Sequence, residues 1–223
     1  MAITIGMGAY VYEYQGDWAR LPQGTSFQNP SAVAVDSSDR VYVFQRRGPP
    51  VMVFAQDGSF LAAWPRRDGQ LEDAHHIYIG PDDGVYLADR DAHQVLKYST
   101  EGELLLTLGN RYQAAWQAPF NHPSDIAVAP SGDILVSDGY GNSCVHRFTA
   151  GGRYISSFGS PGSGPGQFRV PHSLRVARMA GFSCATGRIT GFSYSTPTGD
   201  FWTSGPISSL PWGYTSTGTR RCT

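Results

Sequence analysis

Long apolar runs are missing from this sequence. No stretch reaches the ~18 consecutive apolar residues of a membrane-spanning helix, so no membrane role is expected. Excess charge of one sign is missing too. The 17 Lys and Arg nearly balance 18 Asp and Glu, for a formal net charge of −1 at pH 7. That leaves no basic field to attract nucleic acid or anionic lipid. Cysteine is scarce: Cys144, Cys184 and Cys222 show no C-x-x-C pairing, and their odd number argues against a disulfide framework. Cys144 reads as a reduced, partly buried strand residue. The opening MAITIGMGAYVYEYQGDWARL lacks a basic segment followed by an apolar one. No secretory signal is readable, and the expected location is the cytoplasm.

What the chain does have is glycine, proline, aromatic residues and repetition. No segment sustains a 3.6-residue apolar period, which favours short strands and many turns. Copies of one pattern begin near Asn29, Ala74, His122 and Val170. The equivalent residues Val33, Ile77, Ile126 and Leu174 are 44, 49 and 48 residues apart. Within each copy, apolar residues alternate in bursts such as AVAV, VYVF and VMVF. Turns such as DSSD, GPDDG and APSGD separate the bursts. Period-2 alternation with hairpin chemistry predicts about four antiparallel strands per copy, one blade of a β-propeller. A single blade has two edges and a half-covered face, so it is stable only against its neighbours. The linkers GNRYQAAWQAPFN and GSPGSGPGQFRVP read as surface loops, with Phe168 expected to tuck between blades.

After Arg178 the pattern stops. Lys and Glu are absent, Asp200 is the only acid, and Ser, Thr, Gly and Pro dominate. Composition of this kind can mark a disordered tail. A sharper reading is a shifted reading frame. Starting each codon on the third base of the one used, RMAGFSCATGRITGFSYSTPTG can be reread as DGRVLVCDREDHRIQLFDPDG, which supplies the missing strands of a blade in order. The chain therefore divides into a partial propeller over 1–177, about three and a half blades, and an aberrant, out-of-frame segment over 178–223. Open blade edges of such a fragment are expected to self-associate.

The segments DRVYVFQRRGPPVMVF (39–54), AHHIYIGPDDGVYLAD (74–89), PSDIAVAPSGDILVSDGYGNSCVHRF (123–148) and GSGPGQFRVPHSL (162–174) resemble the NHL family of β-propellers. More narrowly, they resemble the peptidyl-α-hydroxyglycine α-amidating lyases and their bacterial relatives, over roughly residues 10–177. The resemblance implies an all-β, six-bladed propeller that splits a peptidyl-α-hydroxyglycine into a peptide amide and glyoxylate. It also implies an axial zinc ion held by three histidines from alternate blades, catalytic Tyr and Arg residues on the same face, and a structural calcium ion.

The residues can be read beside that resemblance. One slot near the start of each copy holds Ser31, His75, Ser124 and His172 in turn. Equivalent positions in a propeller face the same way, so alternate blades would present His75 and His172 to one metal. Adjacent His76 is expected to point the other way along its strand. Tyr140, in SDGYGNS, matches the catalytic tyrosine of the family, and its flanking glycines would free the backbone to aim the phenol. Arg46 matches the catalytic arginine in one alignment and Arg47 in another. His93, His122 and His146 fall outside the slot and read as structural. Asp89 and Asp138, repeated at strand ends, are expected to accept backbone N–H groups of turns.

The implied chemistry is metal-assisted base catalysis on a peptide substrate. Zinc would act on the α-hydroxyl, Tyr140 would take its proton, and Arg46 would stabilise negative charge as the C–N bond breaks. The third histidine belongs to a sixth blade, and six blades need about 270 residues. This chain is therefore expected to be inactive as it stands. The competing readings are a non-catalytic NHL module that binds a peptide or protein, and a lactonase-like propeller, which would need a carboxylate-rich calcium site.

Overall fold

The computed structural model describes residues 3–64, 71–164 and 166–176 in full, and beyond them the backbone of five strands between 183 and 222. A ribbon of β1 (Thr4–Met7) and β2 (Tyr10–Glu13) comes first. The first blade is an antiparallel sheet of β3 (Pro30–Val35), β4 (Val41–Gln45), β5 (Val51–Phe54) and β6 (Phe60–Trp64). The second is β7 (Ala74–Ile79), β8 (Val85–Asp89), β9 (Gln94–Tyr98) and β10 (Leu104–Leu108). The third is β11 (Asp125–Val128), β12 (Ile134–Asp138), β13 (Cys144–Phe148) and β14 (Tyr154–Phe158). A short parallel pair, β15 (Ser160–Pro161) and β16 (Gln167–Phe168), leads into β17 (Pro171–Val176).

The strand β17 pairs in order with β18 (Ser183–Gly187), β19 (Phe192–Ser195) and β20 (Phe201–Gly205), so the backbone forms a fourth four-stranded sheet. A last ribbon joins β21 (Trp212–Tyr214) and β22 (Arg220–Cys222). The out-of-frame reading of 178–223 concerns side chains outside the described residues. Among the described residues no helix is long and apolar enough to cross a membrane.

The core lies between sheets, and period-2 patterning explains why. In β4, Tyr42 and Phe44 turn toward the second blade and pack with Trp64, Ile77, Leu87 and Tyr98. Val43 turns the other way, joining Met52 and Phe54 under Trp18, Ala19 and Leu21. The next layer, between blades two and three, contains Ala88, Val95, Phe120, Ile126 and Val136. The layer between blades three and four contains Leu135, Val145, Leu174 and Phe168, the last only 4% exposed, as the linker reading expects. Each fully buried side chain of this size contributes about 1.5–3 kcal/mol. The first strands β3, β7, β11 and β17 neighbour one another in that order, which sets four equivalent positions side by side.

Three of those first strands share an irregularity. Pairing with the next strand slips between Pro30 and Ala32, between Ala74 and His76, and between Pro171 and Ser173. Each slip leaves one extra residue: Ser31, His75 and His172. A bulge residue is re-aimed out of the pleat while the strand continues around it. In the third blade Ser124 lies just before β11, with its N–H bonded to the Ser137 carbonyl at 2.8 Å.

Strand ends are tied by a second repeated device. Asp89 accepts the N–H groups of Glu72 at 2.7 Å and Asp73 at 2.9 Å, and Asp138 accepts that of Asn121 at 2.7 Å. In the first blade Gln45 takes this place, its Oε1 accepting the N–H of Gln28 at 2.8 Å. Each buried side chain anchors the linker entering its own blade, extending the turn-capping role expected of Asp89 and Asp138.

Candidate functional site

A polar cavity of about 470 Å³ opens at the bulged ends of the first strands. It is lined by Ser31, Arg46, His75, His76, Tyr140 and His172, with Asn29 and Pro30 at its edge. The phenol oxygen of Tyr140 is the point of convergence. It lies 3.0 Å from His75 Nε2 and 2.7 Å from His172 Nε2, and the two imidazole centroids are 5.0 Å apart. One hydroxyl proton can serve only one of these nitrogens.

The tautomer of His75 follows from its other contact. Nδ1 lies 2.7 Å from the Ser124 carbonyl oxygen, which can only accept, so Nδ1 carries the proton and Nε2 offers a lone pair to the cavity. Burial pushes the His75 pKa down to about 4, against the opposing Ser124 hydrogen bond. A neutral imidazole oriented by a carbonyl is the condition of a metal-ligating histidine. The Nε2 atoms of His75 and His172, both facing the Tyr140 oxygen, fit zinc as two of its ligands. Among the described residues no group of three or more His, Cys, Asp or Glu assembles that could hold a metal.

The position of Tyr140 depends on close approach. A Cβ on Gly139 would stand 2.0 Å from the Pro171 carbonyl oxygen, and one on Gly141 would stand 2.2 Å from Asn121 Cγ. Neither glycine has positive φ. The glycines therefore let the turn press against the neighbouring strands; they are not there to supply an unusual backbone angle.

Of the two candidate arginines, Arg46 lines the cavity. Its Nε lies 3.2 Å from Asp73 Oδ1 and 3.3 Å from the Ala74 carbonyl oxygen. The same carboxylate faces Arg90 Nη2 at 3.1 Å through Oδ2. Burial raises the pKa of Asp73 despite both guanidinium groups. Arg90 also lies over the Tyr140 ring, 5.4 Å from its centroid, within range of a cation–π contact. Sequence reasoning missed Asp73 and Arg90. The only available signal was their position next to the Asp89 anchor and the first strand.

His76 corrects an expectation. Strict alternation would turn it away from His75, yet both line the cavity, because the slip at this point interrupts the alternation. The Nε2 of His76 lies 3.0 Å from Asp125 Oδ1. Asp125 is fully buried and also accepts the Leu174 N–H at 2.8 Å, the Ser173 hydroxyl at 3.2 Å and Arg175 Nη1 at 2.9 Å. Burial alone would raise its pKa, but the His76 contact, the Leu174 N–H and Arg175 hold it below the ordinary carboxylate range.

The remaining histidines lie elsewhere. His93 and His122 stack edge to face with centroids 4.3 Å apart. His146 is fully buried, with Nε2 3.0 Å from Asp138 Oδ2 and Nδ1 2.5 Å from Ser157 Oγ. Cys144 is a free, fully buried thiol, and burial pushes its pKa up to about 12.

The model of the NHL repeat matches residues 120–148, the span from Phe120 through the Tyr140 turn to the end of β13. Residues 120–148 of this propeller chain therefore carry an NHL repeat. The NHL chain is 33% identical over 184 residues to the peptidyl-glycine alpha-amidating monooxygenase B of Xenopus laevis, covering 74% of this chain and 21% of that protein. It is 31% identical over 128 residues to the peptidyl-alpha-hydroxyglycine alpha-amidating lyase 1 of Drosophila melanogaster, covering 52% of this chain and 24% of that protein. The NHL chain thus spans about a fifth to a quarter of the length of these relatives. Among solved structures, it superposes on the catalytically inactive virginiamycin B lyase of Staphylococcus aureus with quinupristin at a TM-score of 0.65. That match has 18% identity and covers 86% of this chain and 60% of that one, a likeness of fold.

Proposed function

We propose that this NHL chain carries part of an amidating-lyase-type active site, in which His75 and His172 hold a zinc ion and Tyr140 and Arg46 act on a peptidyl-α-hydroxyglycine. The observation that carries this reading is the convergence of two imidazole Nε2 atoms on the Tyr140 oxygen inside one polar cavity. Zinc, when bound there, would supply Lewis acidity toward the substrate hydroxyl.

The reaction removes the hydroxyl proton and breaks the C–N bond, and the amide nitrogen gains a proton, giving a peptide amide and glyoxylate. Tyr140 Oη would relay that proton from the hydroxyl oxygen to the leaving nitrogen. Arg46, steadied by Asp73 at 3.2 Å, would stabilise the negative charge that develops. Gly139, beside Tyr140, packs against the Pro171 carbonyl and the Ser124 hydroxyl, which would limit movement of the turn.

Zinc stoichiometry and glyoxylate release test the reading. The 223-residue chain should bind zinc through His75 and His172 without appreciable turnover. A chain with the frame restored after residue 178 should release glyoxylate. In that restored chain, Tyr140→Phe should keep the metal and lose turnover. Full zinc occupancy in a His75→Ala, His172→Ala double variant would rule the site out. Zinc binding by the restored chain without glyoxylate release would point to a different substrate on the same scaffold.

A further inference from the structure

The two histidines belong to blades two and four, and the blade between them contributes none to the slot. What it contributes is a pair of consecutive residues, Ser124 and Asp125, each touching both neighbours. The Ser124 carbonyl accepts His75 Nδ1–H at 2.7 Å, while its hydroxyl donates to the Pro171 carbonyl at 2.7 Å. Asp125 Oδ1 meets His76 Nε2 at 3.0 Å, while Oδ2 accepts the Leu174 N–H at 2.8 Å and the Ser173 hydroxyl at 3.2 Å. On one side the partners are His75 and the residue after it. On the other side they are Pro171, Ser173 and Leu174, which flank His172. Both clamp side chains are fully buried.

We infer that Ser124 and Asp125 are positioning residues: they hold the two bulged strands in register with each other and so set the 5.0 Å separation of the His75 and His172 rings. Oriented, water-excluded hydrogen bonds hold side-chain geometry more tightly than apolar packing, which tolerates small slides. The consequence for zinc rests on the proposed function, whereas the ring separation is a property of the metal-free chain and can be read alone. The bond behind the His75 imidazole runs to the Ser124 backbone carbonyl, so a clamp that shifts Ser124 also shifts a ligand-orienting contact.

The test uses the metal-free, full-length chain labelled at histidine nitrogens and carbons. His75→Gln and His172→Gln spectra assign the two rings. In the wild type, ring-to-ring nuclear Overhauser contacts should join His75 and His172, and His75 should carry its proton on Nδ1. Asp125→Ala should lose the inter-ring contact while the buried His146 resonances stay in place, showing that the sheets remain folded. His76→Ala should weaken the contact, and His76→Gln, whose amide can still donate to Asp125, should restore it. Zinc titrated against a chromophoric chelator should bind more weakly to Asp125→Ala than to wild type.

An unchanged inter-ring contact in folded Asp125→Ala overturns the inference. Should that variant not fold, Ser124→Ala and His76→Ala each cut one arm of the clamp, and an unchanged contact in both overturns it equally. Loss of the contact in a protein whose wild type binds no zinc would keep the clamp and discard the metal reading.

Discussion

Lowering the pH of the metal-free protein from 8 to 5 should destabilise it partly through one side chain, His75. In the unfolded chain its imidazole titrates near 6.5, and in the folded chain near 4, chiefly because burial penalises the cation. Between those values the unfolded chain takes up a proton that the folded chain refuses. The resulting penalty is absent above pH 6.5, grows as pH falls through the window, and levels off below pH 4. At about 1.4 kcal/mol per unit, the full effect is roughly 3 kcal/mol, and about 2 kcal/mol of it is expressed at pH 5. With a urea slope of about 2 kcal/mol per molar, that corresponds to a midpoint lower by about 1 M. Other groups titrate over the same range, so the informative quantity is the difference between wild type and His75→Gln, each measured at both pH values. The glutamine variant should lose less stability on acidification by about 2 kcal/mol. Equal losses in both proteins would refute the assignment of a buried, neutral imidazole.

Further expectations concern the core, the thiol, the open faces and the frame. Phe120 is fully buried against His146 and Phe148, at centroid distances of 5.4 and 5.6 Å, so Phe120→Ala should cost about 3–5 kcal/mol in urea unfolding. A loss under 1 kcal/mol would mean the site is loosely packed. Cys144, with its pKa pushed up to about 12, should resist alkylation at pH 8 in the folded protein and react on unfolding, as read by peptide mass mapping. Val33 and Val35 are 61% and 53% exposed on the first strand of the first blade, so Val33→Lys with Val35→Lys should raise the monomer fraction in light scattering. An unchanged association state would place the sticky surface elsewhere. Sequencing the coding DNA through codon 178 and beyond should show blade-like sequence continuing in another frame. The absence of such sequence in every frame would remove the shifted-frame reading.

The blades were legible because alternation and turn chemistry are local: VYVF and VMVF already say which residues share a face. The slot of Ser31, His75, Ser124 and His172 was legible for a related reason, since repetition exposes equivalent positions without any knowledge of their surroundings. What lies between blades was not. Asp125 reaches His76 and Leu174, each 49 residues away, and nothing in its own repeat announces either partner. Arg90 over Tyr140 and Asp73 between two arginines are likewise set by the rotation of one sheet against the next. The orientation of His76 was misread because a bulge shifts the phase of a strand without altering its composition, so a strict two-residue count carries past it. The glycines beside Tyr140 were noticed for the right turn but for a different physical reason, since the space they leave is filled by the Pro171 carbonyl and Asn121.

The slipped register at the head of three of the four first strands makes the propeller modular in its chemistry. Because backbone pairing, and not the side chain, creates the outward-facing position, a serine or an imidazole can sit there with the same strand on either side. A set of such sockets around one mouth can gain or lose donors one blade at a time, with little cost to the layers of packing below. Donor number and donor type can thereby drift apart from stability, so closely similar scaffolds can differ in whether they hold a metal at all.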